Sequence, residues 1–377
     1  MKRRVTVEIN LKALVSNYRK IARRVAPQKV LCVLKANAYG LGVASYSKAL
    51  VEAGVTMFGV AEPYEALELK KIFSRSGQSK KIHVQILSSI LPDEIREMVK
   101  AGVTLPVTDF ETAKLISDAA FRLKKVANVH FKIDSGMGRL GIPIKDALEE
   151  VLRIKALPML NCEGIFSHCP VAYDPKDSFT KNQIRDFKSL VYALGEKRVK
   201  FKYVHIAASD AINNFPVAAH KPFNVVRTGI NLHGSFDPNG RKALKVEPVL
   251  TLKTRVVQVR TLPKGTTLGY GRTWVLDKER KIATISAGYA DGLPLALSNK
   301  GFVLICGVRC PIVGRISMDY STVDVTECSG IKVGDEVVCL GKSGNFSITP
   351  DDWADLKGTH AYDIICSLGS RVERKPI

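Results

Sequence analysis

No run in this 377-residue chain is apolar for long enough to cross a bilayer as a helix, so a membrane-spanning class is not expected. The opening M-K-R-R-V-T-V-E-I-N is basic but meets a charged residue before any apolar segment develops. It lacks a secretory pattern, and the cytoplasm is the expected compartment. Eight cysteines are too dilute for a disulfide scaffold, and Cys306 with Cys310 lacks a second matching pair. Neither disulfides nor a metal is therefore expected. Despite a net charge of +21, no basic tract or nucleic-acid motif is present. The lysines are scattered over helical stretches and read as a solvated surface, with no nucleic-acid partner.

What is present is a regular alternation. Eight short runs rich in β-branched residues lie at Val30–Leu34, Thr56–Val60, Ile82–Leu87, Val103–Val107, Asn128–Ile133, Glu163–Phe166, Lys202–Ala207 and Asn224–Ile230. Between them, Pro63–Phe73, Asp93–Ala101, Asp109–Leu123 and Lys181–Leu194 repeat apolar residues at helical spacing. This order predicts one parallel (β/α)8 barrel, with residues 1–240 as its domain. An open doubly wound sheet is the competing architecture, but no Gly-x-Gly-x-x-Gly follows the first run.

Barrel chemistry sits at the C-terminal ends of the strands. The sequence puts Lys35 and Tyr39 after the first run, Lys132 and Arg139 at the fifth, and His168 at the sixth. His205 and Ser209 follow at the seventh, and Arg227, Gly229 and Ile230 at the eighth. Lys35 ends an apolar strand, where desolvation would favour the neutral amine able to form a Schiff base. Taken alone, Lys35 reads better as a lysine reaching solvent, and His168 and His205 each read better as hydrogen-bonded core residues. Ser209 and Gly229 lie where such barrels often hold phosphate.

From residue 241 to 377 the character changes to short strands, expected at Pro248–Arg260, Lys281–Ser286, Gly301–Cys306, Ile312–Ile316, Thr322–Val325 and Gly334–Leu340. This predicts a C-terminal all-β domain closed by a helix around Pro350–Leu356. The strand-like residues 1–10 are expected to pair with it, with Asn10 capping the helix that follows.

The motifs V-L-K-A-N-A-Y-G, F-K-I-D-S-G-M-G-R-L-G, G-I-F-S-H, V-H-I-A-A-S, V-V-R-T-G-I, L-G-Y-G-R-T, A-G-Y-A-D-G, G-R-I-S-M-D-Y and A-Y-D-I-I-C run in order through nearly the whole chain. Together they resemble the alanine racemases, fold-type III enzymes that depend on pyridoxal 5′-phosphate. The resemblance implies that Lys35 holds the cofactor and that Tyr39, Ser209, Gly229, Ile230 and Tyr362 surround its phosphate. Arg227 would face the pyridine nitrogen, with His168 and His205 in its network.

The same resemblance assigns Lys35 and Tyr270 as bases on opposite faces of the substrate Cα, Tyr270 acting across a homodimer interface. Arg139 and the Met318 backbone N–H would bind substrate, and Tyr289 and Asp319 would line the entrance. Lys132 matches a lysine that is often carbamylated, although chloride or Asp134 balancing an ordinary lysine is also open. The implied activity is interconversion of L- and D-alanine, supplying D-alanine for peptidoglycan. The chain departs from the family at Leu41, Ala208 and His233, and at Cys169-Pro170, where residues 171–176 are expected to differ. The alternatives are a racemase or decarboxylase for another amino acid, such as serine or lysine, and a non-enzymatic cofactor-binding protein. The β domain speaks against the last.

Overall fold

In the computed structural model, residues 3–75, 77, 81–237 and 239–377 are described. The first strand, β1 (Thr6–Ile9), is followed by a helix over Leu11–Val25. The Asn10 side chain caps that helix by accepting from the Ala13 N–H at 2.9 Å. The barrel strands follow as β2 (Lys29–Val33), β3 (Met57–Val60), β4 (His83–Ile86), β5 (Leu105–Val107) and β6 (Ala127–Asp134). After a two-residue β7 (Ile142–Pro143) come β8 (Leu160–Phe166), β9 (Tyr203–His205) and β10 (Val225–Thr228).

These strands pair in parallel in the orders β10-β2-β3-β4 and β5-β6-β8-β9. Two seams join the halves. On one side the Ile86 and Thr104 N–H groups donate to Thr104 and Val84 carbonyls at 3.0 and 2.9 Å. On the other, Asn224 and Arg227 N–H groups donate to Val204 and Ala207 carbonyls, both at 3.0 Å. The eight runs are therefore a closed barrel, which leaves no edge open for another chain.

The barrel interior is divided by chemistry. Leu31, Val33, Met57, Tyr203 and Val225 form a small apolar cluster of their own. On the other side the inner positions of β4 and β6 carry Gln85, His130 and Lys132, all buried. The large core lies outside the barrel wall, where helix faces meet strands, and continues into the β domain.

Beyond the barrel, β11 (Leu250–Leu262) is the long central strand of a nine-stranded sheet. It pairs antiparallel with β1, which in turn pairs in parallel with the last strand, Glu373–Pro376. Both described ends of the chain thus lie in one sheet. The closing helix spans Pro350–Lys357, capped by Thr349, and a second short helix follows at Ala361–Cys366.

One expected strand is displaced. Ile312–Ile316 is not a strand; Ile312 makes an isolated bridge to Val323 and donates its N–H to the Gly301 carbonyl, and the strand is Val308–Pro311, paired with Phe302–Ile305. The apolar residues Ile312, Val313 and Ile316 are buried by irregular chain. Hydrophobicity alone therefore misplaced the ladder.

Candidate active site

The segment after β2 determines the geometry of the barrel mouth. Ala36, Asn37, Ala38 and Tyr39 have φ values of 51°, 54°, 52° and 59°, so the chain makes a left-handed turn from residues that are not glycine. Such a conformation costs about 1–2 kcal/mol per residue, and the surroundings hold it in place. The buried Glu65 carboxylate accepts from the Ala36 N–H at 2.5 Å and from Ala61 and Glu62, and Asn37 Oδ1 accepts from Val43 N–H at 2.7 Å. The turn leaves Lys35 exposed while burying Tyr39.

That exposure corrects one expectation. The apolar strand does not desolvate Lys35 in the single chain, because the side chain leaves from the first residue of the turn at the open rim.

Tyr39 reaches the ends of β9 and β10. Gly229 must be glycine, since a Cβ there would overlap the Tyr39 hydroxyl. The Gly229 N–H donates to Ser209 Oγ at 3.0 Å, and the Tyr362 ring lies 5.9 Å from the Tyr39 ring. Three hydroxyl residues and a backbone N–H are thus gathered beside buried Ile230, a donor set suited to a phosphate. Asp210 is the dissonant neighbour. Burial, reinforced by Asp237, pushes its carboxyl up to about 6.

Arg227 is buried at the end of β10 and fully engaged on both amino groups. Nη2 donates to the Ser167 and Ile206 carbonyls at 2.7 and 3.1 Å and to His168 Nδ1 at 3.3 Å. Nη1 donates to His205 Nδ1 at 2.8 Å. Burial lowers Arg227 to about 10, which leaves it a cation at neutral pH. Burial, and then that cation, drive His168 down to about 3 and His205 well below its ordinary value. Both imidazoles are therefore neutral acceptors that aim the guanidinium.

Lys132 does not pair with Asp134. Its Nζ donates to the Leu87 carbonyl at 2.6 Å and lies 5.5 Å from the Phe166 ring centre. Asp134 Oδ1 is instead taken by the N–H groups of Gly136, Met137 and Gly138 at 2.9, 2.8 and 3.1 Å, which shape the loop carrying the exposed Arg139. Burial, then Arg139, Arg227 and Lys35, lower Lys132 to about 8. The mouth thus gathers several basic residues on the barrel that also carries the cradle of hydroxyls.

The β-domain residues are not brought to this group within one chain. Tyr270 is 73% exposed and makes no hydrogen bond or ring contact among the described residues. Met318 and Tyr289 are also exposed. Asp319 pairs with Arg371 at 2.6 Å, and Arg371 also holds buried Asp291 at 2.7 Å. Arg371 was not singled out from sequence, because nothing local marks it; its two carboxylate partners lie 52 and 80 positions away.

The departures Leu41 and His233 are both buried near this cradle's support. His233 packs edge-on to Tyr39 with ring centres 4.6 Å apart and shares a 3.0 Å hydrogen bond with the Tyr46 hydroxyl. Glu65, which props the left-handed turn, is a further residue that sequence reasoning missed. Its segment, F-G-V-A-E-P-Y-E at residues 58–65, carries no local signal that links it to the turn 29 residues earlier.

Comparisons with known proteins extend along nearly the whole chain. Residues 9–237 match the model for the alanine racemase N-terminal domain, and residues 249–376 that for its C-terminal domain. Alanine racemase 2 of Caldanaerobacter subterraneus subsp. tengcongensis is 38% identical over 371 residues, covering 98% of this chain and 93% of that protein. The solved alanine racemase of Streptomyces coelicolor A3(2) superposes with a TM-score of 0.92 at 30% identity, over 99% of this chain and 98% of that one. The Bartonella henselae alanine racemase, solved with covalently bound pyridoxal phosphate, gives 0.88 at 29% identity over the whole of both chains. With both family domains matched in order on a barrel and β sheet of the same form, the chain belongs to the alanine racemase family.

Proposed function

We propose that this chain interconverts L- and D-alanine with pyridoxal 5′-phosphate held by Lys35, working as a homodimer in the cytoplasm and supplying D-alanine for peptidoglycan. The observation that carries the reading is the cradle at Gly229, where a side chain is excluded by the Tyr39 hydroxyl and Ser209 Oγ meets a backbone N–H. The barrel, taken as residues 1–240, supplies the cofactor side of the reaction, and the β domain, 241–377, supplies groups to the neighbouring copy.

When bound, pyridoxal phosphate supplies an electron sink that makes the substrate Cα proton removable. Tyr39, Ser209, Gly229, Ile230 and Tyr362 would hold its phosphate. Arg227 would lie toward the ring nitrogen and, as a cation with no proton to give near neutrality, would disfavour protonation there. His168 and His205 accept from Arg227 and fix its plane. Arg139 binds the substrate carboxylate, aided by the Met318 N–H of the second copy, and Tyr289 and Asp319 narrow the entrance. Lys35 moves a proton on one face of Cα, and Tyr270 from the second copy moves one on the other, as racemisation requires. The exposure of Tyr270 in the isolated chain supports that division. The lowered basicity of Lys132 suits carbamate formation, which needs a neutral amine.

The test is chirality-resolved assay of the purified holoenzyme on a panel of amino acids. Alanine should racemise fastest. Preference for serine or lysine, decarboxylation, or no turnover of a fully loaded enzyme would overturn the proposal.

A further inference from the structure

Below the mouth, the polar side of the barrel interior holds a group that the proposed reaction does not use. Barrels of this type are ordinarily packed inside with branched apolar side chains. Here His83 opens β4, His130 lies in mid-β6, and Glu163 is an extra residue in β8, because pairing jumps from Val129↔Cys162 to His130↔Gly164. A bulge of this kind re-aims a side chain. The Glu163 carboxylate lies 3.7 Å from His83 Nδ1 and 3.8 Å from His130 Nε2. One donor atom from each of the three lies within 4.8 Å of the other two. Gly164 makes the room, since a Cβ there would overlap the His130 ring.

The cluster is polar beyond its internal needs. His83 Nε2, His130 Nε2 and both amide atoms of Gln85 are buried without a hydrogen bond among the described residues, and His130 and Gln85 are fully buried. Gln85 stands two residues along β4 from His83 and so shares its face. A buried polar atom without a partner costs about 1–3 kcal/mol. Burial lowers both His83 and His130, so the rings are neutral, while Glu163, although burial pushes it up, is held below its ordinary value chiefly by His130.

Two neutral imidazoles and one carboxylate form a donor set that divalent zinc-class ions take. We infer that His83, His130 and Glu163 bind one divalent transition-metal ion in the floor of the barrel, apart from the cofactor cradle, with Gln85 or water completing the coordination. Metal–nitrogen and metal–oxygen distances near 2.1 Å put tetrahedral donors about 3.4 Å apart. The 3.7 and 3.8 Å separations therefore close by a few tenths of an ångström, and the two imidazole donors, within 4.8 Å of each other, by up to about 1.4 Å. Thr104 Oγ1 donates to Glu163 Oε1 at 3.3 Å and steadies the carboxylate. Lys202, 4.0 Å from Glu163 and with a side chain 63% exposed, is free to swing away. The side chain of His83 is 16% exposed, which gives the ion a way in.

The site is also wired to the mouth. Arg227 can only donate, so His205 Nδ1 accepts, and neutral His205 carries its proton on Nε2, facing His130 Nδ1 at 3.4 Å. His130 then carries its own proton on Nε2, the atom the ion would take. Occupancy moves that proton to Nδ1, where it opposes the His205 Nε2–H donor to donor across 3.4 Å and pushes the His205 ring away. Neither ring changes charge, but the 2.8 Å hydrogen bond that Arg227 donates to His205 Nδ1 is then strained.

The test uses holoenzyme freed of metal by chelator dialysis and titrated with Zn(II) by calorimetry and with Co(II) by visible spectroscopy. One ion per chain should bind, and binding should shift the visible band of the cofactor through Arg227. His83→Gln and Glu163→Gln should each weaken binding by at least about 100-fold, and Thr104→Val by about 10- to 100-fold. His220→Ala, at an exposed histidine, should change nothing. Folding of each variant is checked by thermal melt, and His83→Gln, at a partly exposed strand end, keeps the test open if Glu163→Gln does not fold. Absence of stoichiometric binding, or binding that survives His83→Gln, overturns the site. Binding without a cofactor-band shift overturns the link to Arg227.

Discussion

Asp210 is where the phosphate cradle and the stability of the barrel pull against each other. It is the second residue of the short helix Ser209–Asn214, where the helix dipole would favour a carboxylate by about 0.3–1 kcal/mol. Burial and Asp237 outweigh that and push it up to about 6 from 3.8. The folded chain therefore holds a proton on Asp210 across a range in which the unfolded chain has released it. Stability from this group is complete below about pH 3.8 and is lost as pH rises through about 6. At about 1.4 kcal/mol per pH unit, the gap amounts to at most about 3 kcal/mol.

Asp210→Asn removes the titration while keeping the shape. The difference in unfolding free energy, variant minus wild type, should grow by up to about 3 kcal/mol between about pH 4 and pH 7. Urea denaturation of the cofactor-free protein over that range measures it, because groups common to both proteins cancel in the difference. A difference that stays flat, or that falls with rising pH, refutes the reasoning. Burial chiefly, with Asp210 adding to it, raises Tyr39 and Tyr362, both in the cradle. A bound phosphate should therefore hold the Asp210 proton to still higher pH, moving the transition upward in the holoenzyme.

Lys35→Ala should melt within about 1 kcal/mol of wild type, as expected for an exposed residue, yet lose covalent attachment of the cofactor; visible absorbance that survives dialysis together with full activity would contradict its role. Tyr270→Phe should retain the cofactor spectrum and lose about two to four orders of magnitude in racemisation in both directions. In deuterated water, Cα exchange from D-alanine should persist through Lys35 while exchange from L-alanine nearly disappears; equal loss from both enantiomers would remove Tyr270 from the mechanism. Sedimentation velocity at assay concentration should show a dimer, and a fully active monomer would rule out a shared site.

All eight barrel strands were legible because strands buried on both faces read as short apolar runs. Their ends moved by a few residues, as at Lys202–Ala207, where only Tyr203–His205 is strand. The β domain was less legible, because half-buried strands depend on partners distant in sequence; Val-Arg-Cys-Pro at 308–311 carries one fully buried residue, Cys310, and looks like no strand in isolation. The left-handed turn at residues 36–39 was invisible for a related reason. Ala-Asn-Ala-Tyr contains no glycine, and the carboxylate that holds the turn belongs to Glu65, 29 residues on. That Lys35, Tyr39, Ser209, Arg227 and Gly229 lie at one end of the barrel was legible because strand ends in a barrel converge whatever their spacing. His83, His130 and Glu163 were not, because their meeting depends on a one-residue bulge in β8 that no local pattern announces.

The placement of Tyr270 carries a consequence for the whole molecule. Tyr270 is 73% exposed and makes no hydrogen bond among the described residues, so nothing in its own chain holds the phenol against the barrel mouth. The cradle, by contrast, is complete within one chain, since Tyr39, Ser209, Gly229 and Arg227 all lie on the barrel and support one another through buried contacts. Cofactor retention and racemisation should therefore separate on dilution. Below the dimer dissociation constant, the protein should keep its visible absorbance while specific activity falls in proportion to the remaining dimer, and mixing inactive Lys35→Ala with inactive Tyr270→Phe subunits should restore activity. Each mixed dimer then holds one site in which both bases are intact, so about a quarter of wild-type activity is expected from random pairing in equal mixture. No recovery on mixing would place both bases in the same chain and contradict the exposed position of Tyr270.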